Sequence, residues 1–203
     1  MTTRIHSLRA SAQTSASNAR APWLLYADGT ILTVRGATPQ DLPGVAMMHK
    51  RCSAKTLLDR YRAGGRAPAV VILDSHLREP LSFVATSEDG RVVAQAQVSP
   101  DTEHTMGSAQ VAMLVEDQWQ GLGVGRTLLG HVAAAAVLGG YRQLIAYPAT
   151  TLPVIQRLMG TVGTTRVMAD PQRHLHTTLP QSARDGLGSV HGHGMWERRF
   201  GVG

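Results

Sequence analysis

Three glycines between an apolar strand and a long helix set the tightest limit on how this chain folds. The run Val111-Ala112-Met113-Leu114-Val115 is short and apolar, fit for a buried central strand, and Gly123 to Leu138 reads as a long helix rich in Ala and Leu. Between them lies Gln120-Gly121-Leu122-Gly123-Val124-Gly125-Arg126-Thr127. Glycine lets the backbone turn tightly with no Cβ in the way, so several N–H groups can converge on an anion at a helix N-terminus. A pyrophosphate suits such a turn. A lone glycine pattern is more often an ordinary turn, but the strand before it and the helix after it reverse that reading here.

Two other phosphate motifs fail on the same residues. A dinucleotide-binding G-x-G-x-x-G needs a glycine at 126 or 128, where the chain has Arg126 and Leu128. A P-loop needs Gly-Lys followed by Ser or Thr, and Gly125-Arg126-Thr127 places a guanidinium where a compact ammonium is required.

The rest of the chain supplies strands and helices around this unit. Trp23 to Tyr26 and Ile31 to Val34 flank Asp28-Gly29 as a hairpin, and Leu81 to Ala85 and Arg91 to Gln97 flank Ser87 to Gly90 as a second. Thr38-Pro39-Gln40-Asp41 offers an N-cap, a first-turn proline and a carboxylate three residues after the cap. Leu42, Val45, Met48 and Cys52 then follow at helical spacing. A short helix is predicted from Ser53 to Arg62, with Leu57, Leu58 and Tyr61 on one face and Gly64-Gly65 as its stop. Leu144 to Tyr147 reads as a strand. Pro153 opens a helix whose apolar face is Val154, Ile155, Leu158 and Met159. Thr164 to Met168 and His174 to Leu179 form a last hairpin across Asp170-Pro171. This order predicts an α/β fold, a mixed sheet with helices on both faces.

Length and composition bound the function. At 203 residues and 43% apolar content, one main domain is expected. Residues 1–20 carry Arg4, Arg9 and Arg20 but no apolar periodicity, and are read as a disordered basic tail; 21–180 is the domain, and 181–203 a Gly/His-rich tail in which Trp196 and Phe200 are the residues able to dock. No apolar run approaches the roughly 20 residues of a membrane span, and the N-terminus lacks the apolar core of a secretion signal, so a cytoplasmic location with no membrane partner is expected. Cys52 is the single cysteine, which rules out an intrachain disulfide and a multi-thiolate metal site. The net charge of +6 favours acidic partners. Nucleic acid is disfavoured, because the arginines are scattered and two Phe provide few stacking platforms.

The glycine segment resembles the signature Q/R-x-x-G-x-G/A of the GNAT superfamily of N-acetyltransferases, matched by Gln120, Gly123 and Gly125. The resemblance spans about residues 30–180. Val111 to Val115 is similar to that family's fourth strand, Leu144 to Tyr147 to its fifth, and Val34 to Asp41 to its opening, with bacterial protein-lysine-acetyltransferase-like domains the nearest subgroup. It implies a GNAT-type mixed, mostly antiparallel sheet and acetyl-CoA as cosubstrate, with no metal. Backbone groups of Leu114 and Val115 would pair with the pantetheine arm. Amides from Gln120, Gly121, Leu122, Gly123, Val124, Gly125, Arg126 and Thr127 would hold the pyrophosphate, and Arg126 would add a charged contact. The acetyl group would pass directly to a primary amine, on a small molecule or a protein lysine, entering where the fourth and fifth strands splay apart.

An amine near its ordinary pKa of ~10.4 must lose a proton before attack. Lysine-acetylating relatives commonly place a glutamate near the start of the fourth strand, and this chain has Gln110 there, an amide that cannot take the proton. Where many members carry an asparagine and a tyrosine, it offers Thr151 and Leu158. The remaining catalytic candidates are Glu116, beside the signature, and Tyr147, at the end of the fifth-strand segment. For each, the plainer expectation is a solvated carboxylate and a packed ring. Glu103 and His104 fall on a probable surface loop, and His174, His176, His191 and His193 lack the carboxylate or thiolate that would complete a metal ligand set. The alternative to an enzyme is a catalytically weak GNAT domain that binds acyl-CoA as a sensor. The amine acceptor is unidentified, and the oligomeric state is left open, a homodimer among the options.

Overall fold

Among the described residues, short apolar runs bounded by turn residues form eight strands that join in one sheet. The structure, a computed structural model, describes residues 23–27, 30–61, 65–101, 106–148, 152–169 and 173–180. The strands are β1 (Trp23–Ala27), β2 (Thr30–Gly36), β3 (Leu81–Ser87), β4 (Val92–Pro100), β5 (Ser108–Val115), β6 (Gln143–Ala146), β7 (Thr164–Met168) and β8 (His174–Thr178). The helices are α1 (Leu42–Arg51), α2 (Ala54–Tyr61), α3 (Val70–Leu77), α4 (Val124–Leu138) and α5 (Leu152–Met159). The predicted tails, the Asp28-Gly29 and Asp170-Pro171 turns, and Glu103, His104, Thr151, His191, His193, Trp196 and Phe200 lie outside the described residues.

The sheet order is β1-β2-β3-β4-β5-β6-β8-β7, and every neighbouring pair is antiparallel except β5 with β6. This is the expected mixed, mostly antiparallel sheet with helices on both faces. One face packs against α4, whose Val124, Leu128, Leu129 and Val132 are buried with Phe83, Ala96 and Val111 of the strands. The other packs against α1, α2 and α3 through Val45, Met48, Leu57, Leu73 and Leu114. Cys52 is buried in that second core, and the apolar surroundings push its thiol up to about 12, so it behaves as a small packing residue.

The chain enters α1 through a short 3₁₀ turn, Pro39–Asp41. The Asp41 carboxylate accepts the Thr38 N–H at 2.8 Å and its hydroxyl at 3.0 Å, and Arg35 grips both carboxylate oxygens at 2.8 and 2.6 Å. Burial alone would raise the Asp41 pKa, but these partners together outweigh it and hold the carboxyl below its usual range. α3 answers to no expectation from the sequence. Its Val70, Val71 and Ile72 are exposed while Leu73 and Leu77 are buried, so the run shows no clean helical period.

Candidate functional site

Two strands that begin side by side and then part open a cleft. β5 and β6 pair in parallel at Ser108↔Gln143, Ala109↔Leu144 and Gln110↔Ile145, where the ladder stops, while β5 runs on to Val115. On its other side β5 stays paired with β4 as far as Ala94↔Val115. Past Gln110, one edge of β5 therefore has no strand partner among the described residues. Strand backbone groups alternate between the two edges. The Glu116 N–H reaches Val93 of β4 at 3.0 Å, so the even positions, Leu114 included, turn their amides toward β4, and Met113 and Val115 turn theirs toward the open edge. The Leu114 side chain is buried under the helices of the second core.

The open edge lines a cavity of about 740 Å³. Its walls are Gln110 to Val115 of β5, Ala146 at the end of β6 with Tyr147 and Pro148 after it, the apolar face of α5, the glycine turn, and Lys55, Thr56, Asp59, Arg60 and Tyr61 among the α2 residues. Gly121 and Gly123 have φ of 78° and 85°, a region that side-chain-bearing residues avoid, and a Cβ on either would meet nothing within 4 Å. The turn therefore leaves open space at the start of α4. Gly123 caps that helix, and the first helical amide bond runs from Thr127 back to Gly123 at 3.0 Å. The N–H groups of Val124, Gly125 and Arg126 are thus left without intrahelical acceptors. Gly125 lies where a Cβ would come to 3.6 Å from Met113 and 3.8 Å from Val115, ordinary contact between helix and strand.

Gln120 ties the turn to its surroundings. Its side-chain amide donates to the Val115 carbonyl at 2.9 Å and to the Thr56 hydroxyl at 3.1 Å, joining the end of β5 to α2. Asp117 completes the joint by accepting the Ser53 N–H at 2.8 Å, the Ser53 hydroxyl at 2.7 Å and the Thr56 hydroxyl at 2.9 Å, a cap for α2 supplied from 64 residues away. Burial works against ionisation of Asp117, yet these donors together hold its pKa below the ordinary value.

The three catalytic candidates separate in space. Gln110 is exposed on β5 and lines the cavity, as does the half-buried Tyr147, whose ring centroid lies 5.3 Å from that of His174. Glu116 does not line it: its side chain is 5% exposed and bound to Arg51 at 2.7 Å. Leu158 lines the cavity from α5. His174 and His176 face each other, Nε2 to Nε2, at 2.9 Å, and no group of three or more candidate metal ligands occurs among the described residues. No described helix is long and apolar enough to cross a membrane.

One corner of the cavity is built by side chains to which the sequence assigns no individual chemical role. Tyr61 and Arg60 of α2 line it, with the Arg60 guanidinium 4.5 Å above the Tyr61 ring. The Tyr61 hydroxyl lies 2.6 Å from His49 Nε2, and His49 Nδ1 lies 2.7 Å from the Val45 carbonyl. The carbonyl can only accept, so Nδ1 carries the proton and the phenol donates to Nε2. Burial lowers the His49 pKa, with Arg60 adding to the effect, which keeps the ring in this neutral form.

Comparison with known proteins agrees with this geometry. The model of the acetyltransferase (GNAT) family matches residues 52–158, just over half of the chain. Among solved structures, the fold is similar to the GNAT domain of S. lividans PAT, at 24% identity over 80% of this chain and 98% of that one, with a TM-score of 0.67. It is also similar to a phosphinothricin acetyltransferase of the GNAT superfamily from Sinorhizobium meliloti in complex with AcCoA, at 17% identity over 80% and 94%, TM-score 0.60. A mutant of the cAMP-binding acyltransferase from Mycobacterium smegmatis matches at 20% identity over 95% of this chain and 56% of its own length, TM-score 0.55. The chain thus spans a little over half of that last protein. At these identities the likeness is one of fold.

Proposed function

The chain belongs to the acetyltransferase (GNAT) family, and on that premise we propose that it binds acetyl-CoA in the cleft between β5 and β6 and transfers the acetyl group to a primary amine. The observation that carries this reading is the parting of β5 from β6 beside a turn whose two left-handed glycines leave open space at the start of α4. The pyrophosphate would lie against the amides of Val124, Gly125 and Arg126, with Gly121, Leu122, Gly123 and Thr127 shaping the turn, Gln120 bracing it and the Arg126 guanidinium close by. The free edge offers the backbone groups of Met113 and Val115 to the amides of the pantetheine arm. Leu114 contributes its side chain instead, which supports the strand from below.

Acetyl-CoA supplies an activated acyl group, so the protein's task is to align an amine and move two protons. The nitrogen attacks the thioester carbon, the C–S bond breaks, the amine sheds a proton, and the sulfur leaves as a thiolate that needs one. Tyr147, on the cavity wall beyond β6, is assigned as the donor to that sulfur. No carboxylate takes the amine's proton at position 110, where an amide stands. Asp59, the carboxylate on the α2 wall, is held by Lys55 at 2.8 Å. Water or an amine already neutral in solution then meets the need, at a cost in rate near neutral pH.

The same observation favours a second reading, a domain that binds acyl-CoA without turnover and acts as a sensor. Calorimetry with CoA followed by thiol release on a panel of primary amines separates the two. Binding with turnover supports the transferase, and binding without turnover on any amine supports the sensor.

A further inference from the structure

Resting on the acetyl-transfer reading, we propose that Arg60 is the anion-recognising residue of the acceptor site, so that the acceptor is a small primary amine that also carries a carboxylate. Arg60 lines the cavity, is half-buried, and has no carboxylate partner among the described residues. The other charged pair on that wall, Lys55 with Asp59, satisfies itself at 2.8 Å. A guanidinium drawn out of water without a counter-ion is unfavourable, and a cation–π contact of about 0.5–2 kcal/mol with the Tyr61 ring offsets part of the cost. The remainder is what an incoming anion would recover.

Among the described residues, the rings packed around Arg60 add no charge of their own. Burial holds His49 neutral and pushes His76 down to about 4, and it raises Tyr61, so at neutral pH none of these three is ionised. They also fix its position. Tyr61 is pinned by His49 at 2.6 Å and lies parallel to His76 with ring centroids 6.3 Å apart, so the platform beneath the guanidinium has little freedom. A preorganised planar guanidinium is suited to a carboxylate, which it can take through two parallel hydrogen bonds.

The phosphate end of the cleft lies elsewhere. Thr56 marks it, through Gln120 at 3.1 Å, and Arg60 is one helical turn further on, roughly 6 Å along α2. Arg60 thus lines the same cavity as Gln110 while standing apart from the turn that would hold the phosphates. A carboxylate held there would anchor the molecule whose nitrogen reaches the thioester.

The test is calorimetric titration of L-methionine, L-phenylalanine, L-glutamate and L-lysine into the CoA-loaded full chain, each as the free acid and as the carboxamide. At least one free acid is expected to bind about tenfold or more tighter than its carboxamide. Arg60→Gln should remove that preference by weakening the acid about 10- to 1,000-fold, Arg60→Lys should retain part of it, and CoA affinity should stay within about twofold in both. Acids and carboxamides that bind alike, or not at all, would overturn the proposal from the unaltered protein alone, whatever the variants do. So would an Arg60→Gln protein that binds CoA and keeps the preference, or one that loses CoA affinity more than tenfold while keeping it. Absence of CoA binding in the unaltered protein would instead remove the acetyl-transfer reading on which the proposal stands.

Discussion

The Arg51 guanidinium donates to the Glu116 carboxylate at 2.7 Å, and the same nitrogen donates to the Val92 carbonyl at 2.7 Å, so one side chain fastens the end of α1 to the ends of β4 and β5. The hydrogen bond to Glu116 raises the Arg51 pKa above its already high ordinary value, so the guanidinium keeps its charge. A carboxylate committed to such a contact and shut away from the cleft is a brace for the strand that carries the site.

Glu116→Gln is therefore expected to lower stability by about 1–3 kcal/mol, the cost of weakening a largely buried charge-assisted bond, while CoA affinity and turnover in the surviving folded protein change within about twofold. Denaturant unfolding and thiol release check the two halves. A hundredfold fall in turnover at unchanged stability would make Glu116 a proton acceptor after all.

What was legible in the residues was what has a local signal. Gly121 and Gly123 stand where the backbone takes positive φ, Thr38 and Asp41 hold the entry to α1, and Ala- and Leu-rich α4 follows the turn, so the central unit could be drawn from order and spacing. α3 was missed because four apolar residues in succession, Val70 to Leu73, fit no amphipathic period. Arg60 was missed for another reason. Its importance comes from lacking a carboxylate partner among the described residues and from lying over Tyr61 in the cavity, and neither leaves a mark on a sequence. The pairing of Arg51 with Glu116, 65 residues apart, is equally invisible to spacing.

Gln110 yields an expectation on rate. With an amide on β5 facing the cavity, turnover on an accepted amine should be low at neutral pH and rise with pH as the free amine becomes more abundant. Gln110→Glu should increase turnover, by up to about 10²-fold, and flatten that rise. Fast, pH-independent turnover near neutrality in the natural protein would contradict this, as would a folded, CoA-binding Gln110→Glu variant that is slower.

Stability should fall on mild acidification. Burial takes His76 and His131 down to about 4 and lowers His49, so these rings are neutral in the fold, whereas in the unfolded chain they take up protons near the ordinary pKa of about 6.5. Between those values the unfolded state binds more protons, and stability rises with pH. Their contribution is complete above about 6.5 and is lost as pH drops toward 4. Asp41 and Asp117, held below the ordinary 3.8, contribute above that value and lose their contribution lower down. The Tm should therefore decline from pH 6.5 to 4, and a His76→Gln, His131→Gln double variant should show a shallower slope. A Tm that is flat across this window would contradict the burial of these rings.

The central claim is that the glycine turn at the start of α4 binds the phosphates of coenzyme A, and titration calorimetry of CoA into the full chain and into Gly125→Asp tests it most directly. Gly125 is helical with ordinary contact room, and a carboxylate in a helix's first turn favours the helix by about 0.3–1 kcal/mol, so the variant should fold with an unchanged or higher Tm. It should nevertheless repel a pyrophosphate. The expected result is saturable binding of one CoA per chain to the natural protein, weakened by about 100-fold or more in Gly125→Asp. No binding to the natural protein, or equal affinity in a folded Gly125→Asp variant, would contradict the account.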